Sequence, residues 1–366
     1  MIRLLAAGFG LIIIAMILWD AFETVILPRR VSRRISLTSL FYSSAWVPWA
    51  GIMRLIKNQR RRETYLSLFG PLSLLMLLTL WTVALIFGYA LLVWAADPKL
   101  GSASNESFWT HLYLSATTFC TLGYGDVVPT NPPSRFLSVV EAGNGFGLLA
   151  IVISYLPILY QAFSRREANI SVLDARAGSP SSAVELLRRH RGEDTFENLN
   201  RLLSEWERWS AELMESHLSY PVLCYFRSQH DNQSWLAALT TILDTCAVVI
   251  VGVDHGPVWQ ARMTFAMARH AVVDIAQVFR TRPTGDISCY ARLPSSELER
   301  MKELLLQNNI RFGGGEDTER RLFELRSMYE PYVYALSEWL LMPLPPWILP
   351  KNAVDNWKTS AWGRIQ

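Results

Sequence analysis

The sequence contains few of the residues and motifs that mark a secreted domain or a nucleic-acid binder. Its cysteines are widely spaced, and none forms a Cys-x-x-Cys pair. Such cysteines are expected to be free thiols of a reducing compartment; they are Cys120, Cys224, Cys246 and Cys289. The formal net charge of +3 over 366 residues is too small to indicate nucleic-acid binding.

Motifs that would identify an enzyme are missing as well. The sequence has no Gly-x-Gly-x-x-Gly turn, no alternating apolar pattern that would predict strands, and no internal repeat. It also has no nucleophile beside a base, no phosphate-binding loop and no strong metal-ligand spacing. These absences predict an all-α protein that is not an enzyme and uses no cofactor or resident metal.

Apolar residues, in contrast, are abundant. They make up 51% of the chain, whose mean hydropathy is +0.16 and which contains 14 tryptophans. This composition is too apolar for an ordinary soluble protein, and tryptophans are enriched where membrane helices meet lipid headgroups. A bilayer crossing needs about 20 apolar residues. Three segments qualify, at about 3–27, 66–96 and 134–163.

Basic clusters next to these segments predict the orientation of the chain. They lie at 29–34, 57–62 and 165–166, and short loops rich in arginine and lysine stay on the cytoplasmic side. A fourth apolar segment, 37–56, has such a cluster at each end, so we expect a helix in the inner interface; a crossing is the alternative. The prediction is an outside N terminus, three crossings and a cytoplasmic C terminus, in a bacterial-type inner (plasma) membrane.

The stretch between the second and third crossings carries the chemistry. Residues 117–126 read Thr-Thr-Phe-Cys-Thr-Leu-Gly-Tyr-Gly-Asp. A dehydrated potassium ion needs rings of oxygens, which a chain supplies only if successive carbonyls point the same way. Gly123 and Gly125 permit the backbone angles that this requires, and the Thr121 hydroxyl can add one more ring. We expect residues 107–120 to form a half-crossing pore helix beside this loop.

In this motif and its flanks, residues 65–165 resemble the two-helix-pore potassium channels of bacterial type. The resemblance implies a homotetramer that conducts K⁺ passively across the bilayer, each subunit giving an outer helix, a pore helix, a filter and an inner helix. It assigns the potassium-binding filter to Thr121, Leu122, Gly123, Tyr124 and Gly125. Leu122 replaces the usual valine or isoleucine, a mild departure because this side chain points away from the axis.

The resemblance also assigns residues that support the filter. Asp126, Pro129 and Arg135 stand at the family's post-filter aspartate, turn proline and basic start of the inner helix. Thr117 stands where some members carry a glutamate that pairs with that aspartate. We therefore expect this pairing to be absent.

Glycines at 143, 145 and 147 crowd the middle of the third crossing. By resemblance Gly145 is the hinge of the inner helix, and the side chains that face the cavity are Phe146, Leu149, Ile153 and Pro157. Close helix packing is the alternative explanation for small residues in a membrane helix, and both can hold. Residues 154–160 are the candidate gate, because a proline removes a helix hydrogen bond there.

Glu141 lies about two turns into the inner helix, where a charge facing lipid is costly. We expect it to support the filter by pointing toward the pore helix, where the hydroxyls of Thr117 or Thr118, or filter amides, can bind it. Burial favours the neutral form of a carboxyl, which can then donate a hydrogen bond itself. The alternative is a glutamate that reaches outward to the interface.

Two further carboxylates, Asp20 and Glu23, lie three residues apart near the end of the first crossing. Their spacing places them on one face of a helix. They could meet a basic partner such as Arg29 or Arg33. The alternative is that both side chains reach the nearby interface.

The chain becomes charged and amphipathic after about residue 167. Apolar residues repeat with helical spacing in 194–218 and again from Leu322 to Trp339, and no nucleotide-binding fold follows the pore. We therefore divide the chain into an N-terminal membrane and interfacial part, a pore domain and a helical cytoplasmic domain that is regulatory and binds an unidentified ligand. Their bounds are 1–62, 63–166 and 167–366.

Three alternatives stay open for this chain. The polar residues Asp254, His255, Arg262, His270 and Asp274 could hold a metal or an anion, or they could be helix caps and solvated faces. The pore could be a cation channel with weak potassium preference. The chain could also be a membrane-anchored signalling protein that acts through residues 167–366.

Overall fold

The computed structural model describes most of the chain, and its regular structure is helical over the described ranges. These are 1–27, 36–101, 107–191, 196–230, 232–281, 283, 292–313 and 315–350. They contain twelve α-helices, α1 to α12, together with two isolated antiparallel β-bridges. The predicted all-α membrane fold is confirmed. The first basic cluster, at 29–34, and Cys289 lie outside the described residues.

The chain forms two compact units. Unit 1 comprises Met1–Lys57 and Leu68–Tyr160, and unit 2 comprises Asn58–Ser67 and Gln161–Gln366. This division differs from the three predicted domains, because the N-terminal helix joins the pore segment. The two longest helices, α3 and α5, each run from one unit into the other.

Unit 1 holds the helices that the sequence predicts to cross the membrane. Its helices are α1 (Ile2–Ala21), α2 (Leu37–Leu55), most of α3 (Gln59–Ala96), α4 (Phe108–Phe119) and the first part of α5 (Pro132–Ala177). A short π-helical turn, Phe22–Ile26, continues α1. Each of the three predicted crossings lies in a helix that is long and apolar enough to span a bilayer, whereas α2 does not meet that criterion.

Helix α1 packs closely against α3. A Cβ atom at Gly10 would lie 2.6 Å from the carbonyl oxygen of Gly88, and one at Gly88 would lie 2.8 Å from Ile14 Cγ1. Small residues let membrane helices approach in this way. The contact continues in a buried cluster that also includes side chains of α4 and α5; its members are Ile14, Ile17, Ala21, Leu77, Trp81, Leu85, Tyr89, Phe119 and Leu148.

Asp20 ties three helices of unit 1 together. Its buried carboxylate accepts hydrogen bonds from the Thr38 amide at 3.2 Å, the Thr38 hydroxyl at 2.7 Å and Trp81 Nε1 at 3.1 Å. This differs from both expectations for Asp20, because its partners are a hydroxyl, an indole and an amide from α2 and α3. Arg29 and Arg33 lie outside the described residues, and Glu23 accepts a hydrogen bond from Trp19 of its own helix at 2.6 Å.

Unit 2 is a bundle of shorter helices around one apolar helix. In addition to the ends of α3 and α5 it contains α6 (Ala183–His190), α7 (Glu197–Ser219), α8 (Trp235–Gly252), α9 (Val258–Val278), α10 (Ser295–Gln307), α11 (Glu316–Ser327) and α12 (Glu330–Leu340). A 3₁₀ turn, Pro221–Tyr225, follows α7. The expected helix at 194–218 is confirmed as α7.

The predicted helix from Leu322 to Trp339 is wrong in one respect, because two helices cover this range. Helix α11 ends at Ser327 and α12 begins at Glu330. Pro331 lies in the first turn of α12, where its missing amide hydrogen costs nothing. Proline also disfavours the helical conformation of the residue before it. The apolar residues keep their helical spacing across this break, so the spacing alone does not show that the helix ends.

Helix α8 is a fourth helix long and apolar enough to span a bilayer, and the sequence analysis missed it. Its residues are almost all buried by the rest of unit 2. Within the described residues of the chain, no three histidine, cysteine or acidic side chains come together as metal ligands. His270 and Asp274 do approach on α9, with 3.9 Å between Nε2 and Oδ2.

Candidate functional site

The candidate site begins at α4, which occupies the position predicted for the pore helix. Ser107 caps its start, where the side-chain oxygen accepts a hydrogen bond from the Trp109 amide at 3.3 Å. The helix ends at Phe119, and Cys120 leads directly into the predicted filter. The loop that follows α4 therefore starts within unit 1, at the end of a helix flanked by α3 and α5.

In the backbone of the predicted filter, residues with a positive φ angle alternate with residues that lack one. Thr121, Gly123 and Gly125 have φ angles of 56°, 57° and 78°, whereas Leu122 and Tyr124 between them are not in the positive-φ region. Alternation of left-handed and right-handed residues directs successive amides to one side and the carbonyls to the other. This is the arrangement that a row of ion-coordinating oxygens requires.

Thr121 departs from what sequence reasoning anticipated. The glycines were expected to supply the unusual backbone angles, yet a β-branched residue also has a positive φ. Such residues are rare in this region, and strained backbone of this kind clusters at functional sites. No signal in the sequence marks Thr121 for a left-handed conformation.

The end of α4 holds the start of the filter through its carbonyls. The Leu122 amide donates to the Thr117 carbonyl at 2.8 Å, and the Thr121 amide donates to the Thr118 carbonyl at 3.0 Å. The Thr117 hydroxyl instead donates to Leu114 of its own helix at 3.0 Å. Thr117 thus contacts the filter through its backbone.

Asp126 has a partner that the sequence analysis missed. The hydroxyl of Tyr113 donates to Asp126 Oδ2 at 2.9 Å. The resemblance directed attention to position 117, where the glutamate of some relatives is replaced by threonine. Tyr113 lies one turn earlier on α4 and therefore on the same face, which is the signal that could have found it.

Asp97 fastens the loop that follows the filter to the end of α3. Its carboxylate accepts hydrogen bonds from the Thr130 amide at 2.6 Å, the Thr130 hydroxyl at 2.8 Å, the Asn131 amide at 3.3 Å and the Ser134 hydroxyl at 2.8 Å. Its backbone carbonyl also lies 2.9 Å from Nε2 of His111 on α4. Burial opposes the charge, but the four donors outweigh it and hold the pKa of Asp97 below its ordinary value.

Glu141 is fully buried and faces α4, where its Oε1 contacts the hydroxyl of Ser115. The expected partners were Thr117 and Thr118, which lie nearer the filter. The Ser115 hydroxyl also lies 2.7 Å from the Ile86 carbonyl of α3, and Glu141 Oε2 has no hydrogen-bond partner in the described structure. A hydroxyl has one hydrogen to give. A neutral Glu141 that donates to Ser115, which donates to Ile86, places both hydroxyl hydrogens in hydrogen bonds and leaves only Glu141 Oε2 without a partner.

Gly145 has a packing role in the inner helix. A Cβ atom there would lie 2.0 Å from the Phe119 carbonyl oxygen at the end of α4. A Cβ at Gly143 or Gly147 would meet nothing within 4 Å. The packing alternative therefore applies to Gly145, and its role as a hinge stays a prediction.

The expected cavity face of α5 is uncovered in a single chain. Phe146, Leu149 and Ile153 are 68%, 56% and 64% exposed, and Pro157 is exposed as well. Tyr155 and Leu159, on the opposite side, are buried. The structure thus brings the segment 121–125 predicted as the filter, the carbonyls that hold it and this open apolar face together in one unit.

The match to known families covers this same region. Residues 75–162 match a family model described as an ion channel, and these residues include α4, the filter loop and the adjoining parts of α3 and α5. The chain contains an ion channel domain. The matched segment lies within the range 65–165 on which the sequence resemblance rests.

A curated relative supports the membrane assignment. The chain is 21% identical over 216 residues to a protein of Bacillus subtilis (strain 168) described as "Uncharacterized membrane protein YdjJ". The alignment covers 58% of this chain and 61% of the relative, so the chain spans about three-fifths of that protein's length. No solved structure matches the chain significantly.

Proposed function

We propose that the chain is one subunit of a homotetrameric, potassium-selective channel. The observation that carries the proposal is the alternating backbone of the segment 121–125, with positive φ at Thr121, Gly123 and Gly125. In a ring of four such segments, the carbonyls would replace the water around K⁺, which is the permeant ion. Neither a cofactor nor a nucleic acid has a part in this function.

Exposure within one chain supports association with further copies. The filter residues Leu122 and Tyr124 are 56% and 68% exposed, and in a tetramer the side chain of Tyr124 would brace the filter against a neighbouring subunit. The uncovered face of Phe146, Leu149 and Ile153 is apolar and would line the cavity. The remaining exposed apolar surface of α1 and α3 suits contact with lipid.

The orientation follows from the basic clusters. We place the chain in the plasma membrane as a multi-pass protein, with residues 57–62 and 165–166 on the cytoplasmic side. Unit 2 would then be a cytoplasmic regulatory domain, open to a ligand of unknown identity. Cysteine substitutions at Lys57 and Lys99 would test this orientation. An impermeant reagent should modify the cysteine at Lys57 only from the cytoplasmic side and the cysteine at Lys99 only from the outside.

The decisive test of function is ion flux in liposomes that contain the purified full chain. We expect flux of K⁺ and Rb⁺ well above flux of Na⁺, and block by Ba²⁺, which fits the carbonyl rings but carries too much charge to leave. Equal K⁺ and Na⁺ flux would favour the weakly selective cation channel. A silent protein would favour a signalling role of unit 2.

A glycine pair provides a matched test of the filter. Gly123→Ala should abolish selective flux while the tetramer persists, because alanine is strained at the φ of 57°. Gly143→Ala is the control, since a Cβ there meets nothing within 4 Å and alanine favours a helix. Selective flux that survives in Gly123→Ala would contradict the assigned filter.

A further inference from the structure

Within unit 2, the residues that connect α7 to α8 form a buried meeting point of several helices. This junction segment, residues 221–227, consists of the 3₁₀ turn Pro221–Tyr225 followed by Phe226 and Arg227. Its side chains from Val222 to Phe226 are buried, and the Cys224 carbonyl accepts a hydrogen bond from Trp235 Nε1 at 3.2 Å. The segment is therefore fixed against the core of unit 2.

Arg166 attaches the end of α5 to the junction segment. Its buried guanidinium donates to the carbonyls of Leu223 and Phe226, both at 2.9 Å, and to His217 Nε2 at 3.2 Å. Glu167 balances its charge, with 2.9 Å between the ionic atoms. Hydrogen bonds to these backbone carbonyls are directional. They therefore fix the rotation of the end of α5 about its axis as well as its distance from the junction segment.

His217 acts as an acceptor in this arrangement. Its Nδ1 lies 2.9 Å from the Leu213 carbonyl, which leaves Nε2 to accept the hydrogen bond from Arg166. Burial, together with the adjacent Arg166 charge, lowers the pKa of His217 well below its ordinary value. The ring therefore stays neutral at neutral pH, as the contact requires.

Arg227 attaches the beginning of α3 to the same segment. It pairs with Glu63 in the first turns of α3, with 3.6 Å between Nη1 and Oε2. It also donates to the Leu341 carbonyl at 3.1 Å and to the Leu340 carbonyl at the end of α12. Burial lowers the pKa of Arg227 to about 10, and the nearby Glu63 partly offsets this effect, so the side chain remains charged.

Both attached helices continue into the channel domain. Helix α3 runs from Gln59 to Ala96 and α5 from Pro132 to Ala177, and each contributes to residues 75–162. Apolar side chains could have packed these helix ends without the cost of burying two guanidinium groups. Directional bonds to carbonyls instead fix the position of each helix end.

We propose that Arg166 and Arg227 are positioning residues for gating, which hold the unit 2 ends of α5 and α3 on the junction segment 221–227. A rearrangement of α12 or α7 would then move both pore helices together. The inference rests on the proposed channel function for its effect on gating, whereas the anchoring itself does not depend on it.

Single-channel recording of the full chain in planar bilayers tests the gating effect. Arg227→Gln and Glu63→Gln should each change the ratio of open to closed time by about two- to thirtyfold, the range of typical coupling effects. The double variant should change it by less than the product of the two, because both remove the same pair. Unit conductance and K⁺ over Na⁺ selectivity should stay unchanged, since the filter is untouched.

Two variants serve as controls. Arg320→Gln removes an exposed ion pair with Asp317 on α11 and should leave gating unchanged. Arg227→Lys keeps the charge near Glu63 and should restore part of the parent behaviour. An open probability that is the same in parent, Arg227→Gln and Glu63→Gln would overturn the proposal, and Glu63→Gln keeps this test available if Arg227→Gln fails to fold.

Hydrogen exchange separates failure of the inference from failure of the channel assignment. In Arg227→Gln we expect faster exchange in both 58–67 and 161–177, while α10 exchanges as in the parent. If the parent is silent in bilayers, the proposed function fails, but faster exchange in both peptides would still support the anchoring. Unchanged exchange in both would overturn it.

Discussion

Helices α1 and α8 are both long and apolar enough to cross a bilayer, yet they differ in how far the rest of the chain buries them. Only 17% of the most apolar window of the N-terminal span is buried by its own chain, against 83% for α8. Helix α8 also carries Asp244 in its middle, where Arg292 and the Tyr329 hydroxyl contact it. Apolar length alone therefore does not decide whether a helix faces lipid, since the side chains offered by the rest of the chain decide it.

The two units also satisfy buried carboxylates in different ways. In unit 1, Asp20, Asp97 and Glu141 contact hydroxyls, an indole and backbone amides. In unit 2, Asp244 and Glu330 contact arginines. A charge inside a bilayer is costly, and hydroxyl, indole and amide donors satisfy a buried carboxyl without bringing a second charge into the membrane segment. The same side chain thus has a different physical role in each unit.

The largest effect that would sharpen this contrast is expected from Asp244→Asn. The change leaves Arg292 buried, with Glu330 at 3.6 Å as its remaining acidic partner. Breaking a buried ion pair costs about 3–5 kcal/mol, and we expect the lower end of that range because Glu330 remains. Denaturant unfolding followed by helical circular dichroism measures it. Asp317→Asn, at an exposed pair, should cost less than about 1 kcal/mol, and equal losses would contradict the contrast.

Gly145→Ala should have the next largest effect, now in unit 1. The added Cβ would overlap the Phe119 carbonyl, so α5 or the end of α4 must shift, at a cost of about 1–3 kcal/mol. We expect a lower yield of assembled protein and reduced K⁺ flux. Gly147→Ala, which meets no atoms within 4 Å, should behave as the parent. Equal behaviour of the two variants would contradict the close packing of Gly145 against the Phe119 carbonyl.

The carboxyl-to-amide change at Glu141 is the counterpart of Asp244→Asn. If Glu141 is neutral and donates to Ser115, glutamine can replace it with little loss, because its amide also donates. Glu141→Ala should cost about 1–3 kcal/mol by leaving Ser115 or Ile86 unsatisfied, and should speed inactivation of the filter. Single-channel records and melting temperatures distinguish the glutamine variant from the alanine variant. An alanine variant that matches the parent would exclude Glu141 as a filter support.

Acidification should give the smallest effect. Because the pKa of Asp97 is lower in the folded chain than its ordinary value of about 4, its contribution to stability is present above that value. The contribution is lost as the pH falls through the folded value, when the four hydrogen bonds to the loop after the filter weaken. Asp97→Asn should flatten this part of the stability–pH profile. A profile unchanged by that substitution would show that Asp97 does not hold the loop through its charge.

Local patterns predicted much of the site before any contact was known. The spacing of apolar runs located three helices that are long and apolar enough to cross a bilayer, and the sequence also located the helix α4 and the positive φ angles of Gly123 and Gly125 after it. These predictions succeed because helix length and glycine conformation depend on neighbours in the chain. The periodicity failed at Met328 and Tyr329, because a break between helices can preserve the apolar spacing.

Side-chain partners were predicted less well, because they depend on which helices meet. The sequence placed Glu141 near the pore helix but could not select Ser115, and it offered Asp20 two partners or the interface when the structure gives it Thr38 and Trp81. It predicted that Asp126 has no glutamate partner at position 117 but did not find Tyr113, whose hydroxyl reaches Asp126. Each of these contacts depends on how one helix is rotated about its axis against its neighbour. Apolar spacing shows which face of a helix is buried, but it does not show which residues of that face meet.

The sequence by itself determined that the chain is helical, that part of it is apolar enough for a bilayer, and that residues 121–125 suit a row of carbonyls. Only the tertiary structure decided that α8 lies inside unit 2, that Thr121 shares the left-handed backbone of the glycines, and that the ends of α3 and α5 meet at one segment. The reason is physical: conformational preference is a property of neighbouring residues, whereas burial and hydrogen bonding depend on surfaces that are distant in the chain.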